Sequence, residues 1–298
     1  MSYHNPVLLK ESVDGLAIKE DGVYVDVTFG GGGHSREILS RLGANGRLYA
    51  FDQDEDALAN DLGDDRFTLI HENFTYITQF LKFYGVRKVD GILADFGVSS
   101  HQFDKAERGF STRFDADLDM RMSKRNTLSA YEVVNTYEYD DLRRVLFEYG
   151  DLRNANAIAK VVVAAREEKA IKTTDELKVV LKQFLPAAKE HKILAQIYQA
   201  IRIEVNQEIQ VIKDFLLQAD GLLQSGGRLS LISYHSLEDR LVKRFIREGK
   251  FEGEAEKDFY GNVDVPFKKV GKLIVPSAAE IKENNRARSA KLRIAEKR

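Results

Sequence analysis

The chain has 298 residues, 43% hydrophobic and 31% charged, with a formal net charge of −2 at pH 7. This is the profile of a soluble globular protein with room for one large domain, or for a domain carrying an insertion, and any basic surface must be local. Cysteine and tryptophan are both absent, which excludes disulfides, thiolate zinc sites and cysteine nucleophiles and leaves base stacking to Phe, Tyr, His or Arg.

No apolar run approaches the roughly 18 residues that a membrane span needs. The opening MSYHNPVLLKES lacks a basic segment followed by an apolar one, so no secretory signal is read there. A reducing cytoplasm is the expected location. In the first third, β-rich runs alternate with helical ones. Strands are predicted over Val23–Phe29, Arg47–Asp52, Phe67–His71 and Val89–Asp95, and SREILSRL between the first two puts Ile38, Leu39 and Leu42 on one helical face. Such alternation predicts an α/β fold, a parallel sheet with helices on both sides. The rhythm stops near Phe103.

Residues from about Thr127 to Leu223 read as helices. Ser129 with Glu132, and Thr173 with Glu176, have capping-box spacing. Pro186 ends one helix, and a long one is predicted from about Ile193 to Leu223. GGRLSLISYH then restores a strand, Arg228–Tyr234, after a glycine stop signal. Ser236 with Asp239 marks another helix start. The end reads strand, helix, strand: KLIVPS, SAAEIKENN (with Ser277 and Glu280 at capping-box spacing) and AKLRIAEK. A doubly wound sheet is therefore expected, interrupted by a helical insertion between its fourth and fifth parallel strands.

VDVTFGGGGHS, Val25 to Ser35, carries the strongest chemical signal. A glycine-rich turn from strand to helix sets backbone N–H groups at a helix N-terminus and leaves room against bare backbone. Asp52 closes the second strand, 19 residues past Gly33, where a carboxylate can accept both hydroxyls of a ribose. The pair points to an adenine nucleoside. The dinucleotide fingerprint needs a third glycine, but that position is Ser35 counting from Gly30 and Arg36 counting from Gly31. The glycines, with acids at Asp26 and Asp52, therefore suit S-adenosylmethionine better than a nicotinamide dinucleotide. A tight turn that binds nothing is the bland alternative, and His34 taken alone reads equally as a capping or solvent-facing residue.

In DGILADFGVSSHQFD, Asp95 falls at the carboxyl end of the fourth strand, beside the crevice of an open α/β sheet. Asp95 and Gln102 are candidates to contact the cofactor or an acceptor base; a cap of the following turn is the other role for Asp95. Phe74, after the third strand, stands where a ring would cover an adenine, or is plain core. ERGFSTRFDADLDMRM reads as a functional loop or a solvated face. SYHSLEDR ends the fifth strand at the same crevice edge. The segment 282–298 holds seven Lys/Arg and two Asp/Glu, a candidate footprint for phosphate.

Several of these strings recur together in one family. HNPVLLKES, DVTFGGGGHS, FDQDEDAL, DFGVSSHQFDKAERGFS, LDMRM, IRIEVNQE, GGRLSLISYHSLEDR and NNRARSAKLR appear in family order, and the chain resembles the bacterial ribosomal RNA small-subunit methyltransferase H family nearly end to end. That resemblance implies a Rossmann-like class I S-adenosylmethionine-dependent methyltransferase core, residues 1–103 with 201–298, carrying an inserted all-helical domain, residues 104–200. It implies methylation of N4 of a decoding-centre cytidine in 16S rRNA, within a 30S subunit or late assembly intermediate. Cofactor contacts carry over to Gly32, Gly33, His34, Asp52, Phe74, Asp95 and Gln102. The chain departs from the family pattern at Asp117, at Asp151 and Leu152, in KEHKILAQ, and at Tyr198 and Tyr234, where Phe is common.

The absence of cysteine closes the covalent route to cytosine C5 and agrees with transfer to an exocyclic amine. Asp95 is the candidate catalytic acceptor for an amine proton. Phe110, Tyr234 and His235 are candidate stacking neighbours for an everted base, and Arg108, Arg113, Arg286 and Arg288 candidate phosphate contacts. No metal ligand cluster stands out and none is assigned. A nicotinamide oxidoreductase and a non-catalytic ribosome-assembly protein are the competing readings, and both monomer and homodimer stay open.

Overall fold

The computed structural model describes residues 6–256, 259–260 and 263–298. The chain divides into two compact units, Met1–Gly97 with Ile209–Arg298, and Val98–Glu208. His4 and Asn5 of the HNPVLLKES string lie outside the described residues.

The first unit is built on seven strands: β1 Val23–Asp26, β2 Arg47–Phe51, β3 Phe67–Ile70, β4 Val89–Asp95, β5 Leu223–Ser233, β6 Phe267–Ile274 and β7 Lys291–Lys297. Their order in the sheet is β3-β2-β1-β4-β5-β7-β6. The first five run parallel, while β7 pairs antiparallel with both β5 and β6. Alternate residues feed opposite faces: Val25, Ile92 and Ala94 join one apolar cluster, Tyr24 and Leu93 another. Burial on both faces is why these strands read as near-continuous apolar runs.

The sheet arrives with the expected strands and with altered limits. β1 stops at Asp26, because the Asp26 carboxylate turns to the Thr28 N–H and hydroxyl. Beyond it only single ladder bonds persist, Val27 N–H to Leu93 O and Phe29 N–H to Phe51 O. β5 begins at Leu223 rather than Arg228, and the two glycines expected to stop a helix sit inside it. Pairing jumps from Val89↔Leu223 to Gly91↔Arg228, so the extra residues bulge out, with Gly226 at φ 80.

The helix start expected at Ser236 with Asp239 falls one residue earlier. His235 caps the helix Ser236–Glu248 and Glu238 completes the box. Asp239 is instead committed to Arg293, at 2.7 and 3.2 Å. At Ser277 half of the expected box forms: its hydroxyl accepts the Glu280 N–H at 3.1 Å, while Glu280 Oε1 accepts the distant Leu8 N–H at 2.7 Å.

The second unit is helical, and its described residues contain one isolated bridge, Asp117 to Thr173. Both capping boxes expected there are present. The single helix predicted over 193–223 is two, Glu190–Val205 and Glu208–Leu222, broken at Gln207 with φ 49. The break is made by Asn206. Its Oδ1 accepts the Met122 N–H at 2.7 Å, and its Nδ2 donates to Met120 O at 2.8 Å and Arg202 O at 2.9 Å. Arg202 forms a fork with Glu208, at 2.7 and 2.9 Å. The strings LDMRM and IRIEVNQE are thus partners in one polar clasp. Asn206→Ala leaves two buried backbone groups unpaired, and the stability measured by urea unfolding is expected to fall by about 2–4 kcal/mol. Loss of less than about 1 kcal/mol would show that the clasp does not hold the unit.

Candidate active site

In an open α/β sheet, ligands bind beyond the carboxyl ends of the strands where the strand order reverses. Here that point lies between β1 and β4, which are in register with Asp26 opposite Leu93. Three acids close the strands around it: Asp26 ends β1, Asp52 follows β2 and Asp95 ends β4. Tyr234 follows β5 on the same edge.

The glycine turn leads from β1 into the helix Gly33–Arg41. Gly32 caps that helix in the left-handed region, φ 74, where a side chain is strained. Gly33 is bare for a different reason: a Cβ there would stand 2.1 Å from the Pro6 ring. Part of the glycine run therefore accommodates the chain's own N-terminal segment. His34, which is buried, fastens the same segment, with Nε2 3.2 Å from Val7 O.

Asp52 is anchored at both oxygens by main chain. Oδ2 accepts the Gly30 N–H and Oδ1 the Asp54 N–H, each at 2.8 Å. A carboxylate offers about four accepting positions, so each oxygen retains one. Those are the acceptors that the two hydroxyls of a ribose diol need, and the site fits the sugar of a nucleoside cofactor. Burial pushes the Asp52 carboxyl up to about 6, against the pull of those two amides.

Asp26 is fully enclosed. It accepts the Ser35 hydroxyl at 2.7 Å as well as Thr28, and burial holds its carboxyl above the usual range. The Thr28 Oγ1 in turn accepts the Asp95 N–H at 2.7 Å. Thr28 thus joins the ends of β1 and β4, a role that no periodicity in the sequence announces. Asp95 Oδ1 accepts the Tyr234 hydroxyl at 2.8 Å. Burial lifts the Asp95 carboxyl to about 6, with His34 and Tyr234 pulling it down. Phe74 is half-buried, edge-on to Phe215 at 5.4 Å, with Phe96 6.3 Å away.

The remaining candidates scatter. His235 is spent on its helix cap, with Nδ1 facing the Glu238 N–H and Nε2 3.0 Å from Glu238 Oε1. Arg286 and Arg288 are exposed on the short turn Asn285–Ser289. The basic tail is less basic than its count, because Lys291 and Arg293 pair with Asp239, and Lys297 with Asp220. In the helical unit, Gln102 is buried and its carboxamide oxygen accepts the Ser99 N–H of its own capping box. Arg108 is also buried, with Nη2 donating to Arg121 O and Met122 O at 3.0 and 3.1 Å. Phe110 lies in the apolar core of that unit. Both pack the unit rather than present a surface to a ligand. Arg113 is exposed.

A seven-stranded sheet with β7 antiparallel between β5 and β6, and carboxylates at the ends of β1, β2 and β4, is the architecture of a Rossmann-like class I methyltransferase. A dinucleotide-binding Rossmann sheet lacks that inserted strand. The chain belongs to the MraW methylase family, whose model matches residues 1–298. It is 71% identical to ribosomal RNA small subunit methyltransferase H of Flavobacterium johnsoniae over 297 residues, 100% of this chain and 98% of that one. It is 67% identical to the protein of the same name in Christiangramia forsetii, again over 100% and 98%. Among solved structures, an rRNA methylase from Streptococcus thermophilus is similar at 13% identity and a TM-score of 0.44, covering 100% of this chain and 98% of that one. Among the described residues, no helix is long and apolar enough to cross a membrane.

Proposed function

We infer that this chain is an S-adenosylmethionine-dependent methyltransferase of small-subunit ribosomal RNA, acting on N4 of a decoding-centre cytidine in 16S rRNA. The observation that carries the reading is the end-to-end relationship to proteins named ribosomal RNA small subunit methyltransferase H. Membership in a methylase family selects methyl transfer over hydride transfer for the nucleoside site. The acceptor is the RNA of a 30S subunit or late assembly intermediate, and the reaction belongs to the cytoplasm.

When bound, the cofactor supplies a methyl group on a sulfonium sulfur, whose carbon–sulfur bond breaks with its electron pair left on sulfur. The chain contributes alignment, worth about 7–11 kcal/mol of barrier at best. Asp52 holds the ribose, Phe74 covers the base, and the turn opened by Gly32 admits the ligand to main chain. Asp95 addresses the acceptor. The cytosine amine is a poor nucleophile because its lone pair is delocalised into the ring. Asp95 Oδ2, accepting one of its N–H bonds, returns density to nitrogen as the nitrogen–carbon bond forms. The proton that nitrogen must lose then passes to Asp95 or to water.

The test is incubation with methyl-labelled cofactor and 30S particles from cells lacking the enzyme, followed by mapping of the labelled nucleotide. Label on the exocyclic nitrogen of one cytidine is expected; absence of label would leave a binding protein. On this reading the exposed Arg286 and Arg288 contact phosphate. Arg286→Glu with Arg288→Glu is expected to raise the RNA Kd about tenfold or more, to shallow its salt dependence by about two ions, and to spare cofactor affinity. Filter binding at several salt concentrations reads this, and an unchanged slope removes the two arginines from the interface.

A further inference from the structure

Tyr234 makes a contact that RNA stacking does not explain. Its hydroxyl donates to Asp95 Oδ1 at 2.8 Å, while Asp95 Oδ2 has no hydrogen-bond partner among the described residues. The tyrosine is itself held from two directions. Its N–H donates at 2.8 Å to Oε2 of Glu238, a fully buried carboxylate. Its ring packs against the apolar cluster that includes Leu8, Ile232 and Leu292. The Asp95 main chain is pinned independently through Thr28. The remaining freedom of Asp95 is rotation of its carboxylate, and the Tyr234 hydroxyl removes it.

We propose that Tyr234 is a positioning residue for the methyl acceptor: it fixes the Asp95 carboxylate so that Oδ2 stays available to the acceptor N–H. The proposal rests on the reading of Asp95 as the acceptor-side group. The groups that act on Asp95 are His34 from the helix Gly33–Arg41, Asp26 from β1, Glu238 from the helix Ser236–Glu248, and Tyr234 after β5. His34 and the tyrosine hydroxyl favour the anion, while Asp26, Glu238 and burial oppose it. With the hydroxyl removed, the opposing set is unchanged and the carboxyl titrates higher. The sign is therefore fixed: a higher pH is needed to reach the ionised form.

Single-turnover methylation of 30S particles at saturating cofactor, from about pH 5.5 to 8.5, tests this with wild type, Tyr234→Phe and Asp95→Asn. Phe keeps the ring and removes one oxygen. The acid limb of the Tyr234→Phe rate is expected to move up by about one to two pH units. Its alkaline plateau should lie within a few-fold of wild type, with cofactor Kd unchanged within about twofold. A profile superimposable on wild type, or one lowered equally at every pH, overturns the positioning role; if Asp95→Asn is inactive in the same series, the role of Asp95 stands without it. An active Asp95→Asn overturns the reading of Asp95 and this inference with it.

Discussion

Asp95→Asn is expected to lower turnover by about 10²–10⁴-fold at saturating cofactor, the range for loss of a positioned proton acceptor. The amide keeps the size of the carboxylate, its oxygen can still accept the Tyr234 hydroxyl, and the main-chain N–H of residue 95 still donates to Thr28 Oγ1. Cofactor affinity should therefore change little, and the loss should appear in kcat. The same substitution should stabilise the fold. Asp95 titrates at about 6 in the protein against 3.8 unperturbed. A carboxyl raised in this way favours folding most below about pH 4, and that contribution is lost as pH rises through about 6. At neutral pH the ionised group is a standing cost of at most about 3 kcal/mol, which asparagine does not carry. A melting temperature raised by a few degrees, with activity lost, is the expected signature. Near-normal turnover would remove Asp95 from the chemistry.

Asp52→Ala is expected to raise the cofactor Kd by on the order of 10²-fold or more. It removes the acceptor for two ribose hydroxyls, each bond to a charged group being worth about 1.5–3 kcal/mol, and it frees the Gly30 and Asp54 amides that Asp52 now holds. Titration calorimetry checks this. Wild-type affinity should also weaken below about pH 6, where Asp52 takes up a proton, because a protonated carboxyl is a weaker acceptor for a diol. Affinity unchanged by the substitution would place the sugar elsewhere.

The two predictions separate functions that share one sheet edge. In the proposed mechanism Asp52 acts before the reaction and Asp95 during it, yet burial lifts both carboxyls to about 6. What distinguishes them is the use of their oxygens. Asp52 is held at both by main-chain amides, a fixed cradle. Asp95 is held at one by a phenol, and the other is the oxygen proposed to face the acceptor.

The sequence by itself determined the class of fold, the place of the helical segment between β4 and β5, the glycine turn, and the acids that end β1, β2 and β4. These are local properties. Alternation of apolar residues, glycine runs and strand-terminal polar residues are dictated by neighbours within a few positions. Only the tertiary structure decided the features whose partners are remote. The helix break at Asn206 depends on main-chain groups 84 and 86 residues away. The cap of Ser236–Glu248 shifts to His235 because Asp239 is claimed by Arg293, 54 residues on. Arg108 and Phe110 read as surface candidates beside a charged loop and turn out to be packed inside. Tyr234 meets Asp95 across 139 residues. A hydrogen bond formed by folding the chain back on itself leaves no periodicity in the sequence, because its two ends are selected by the strand order and not by their spacing.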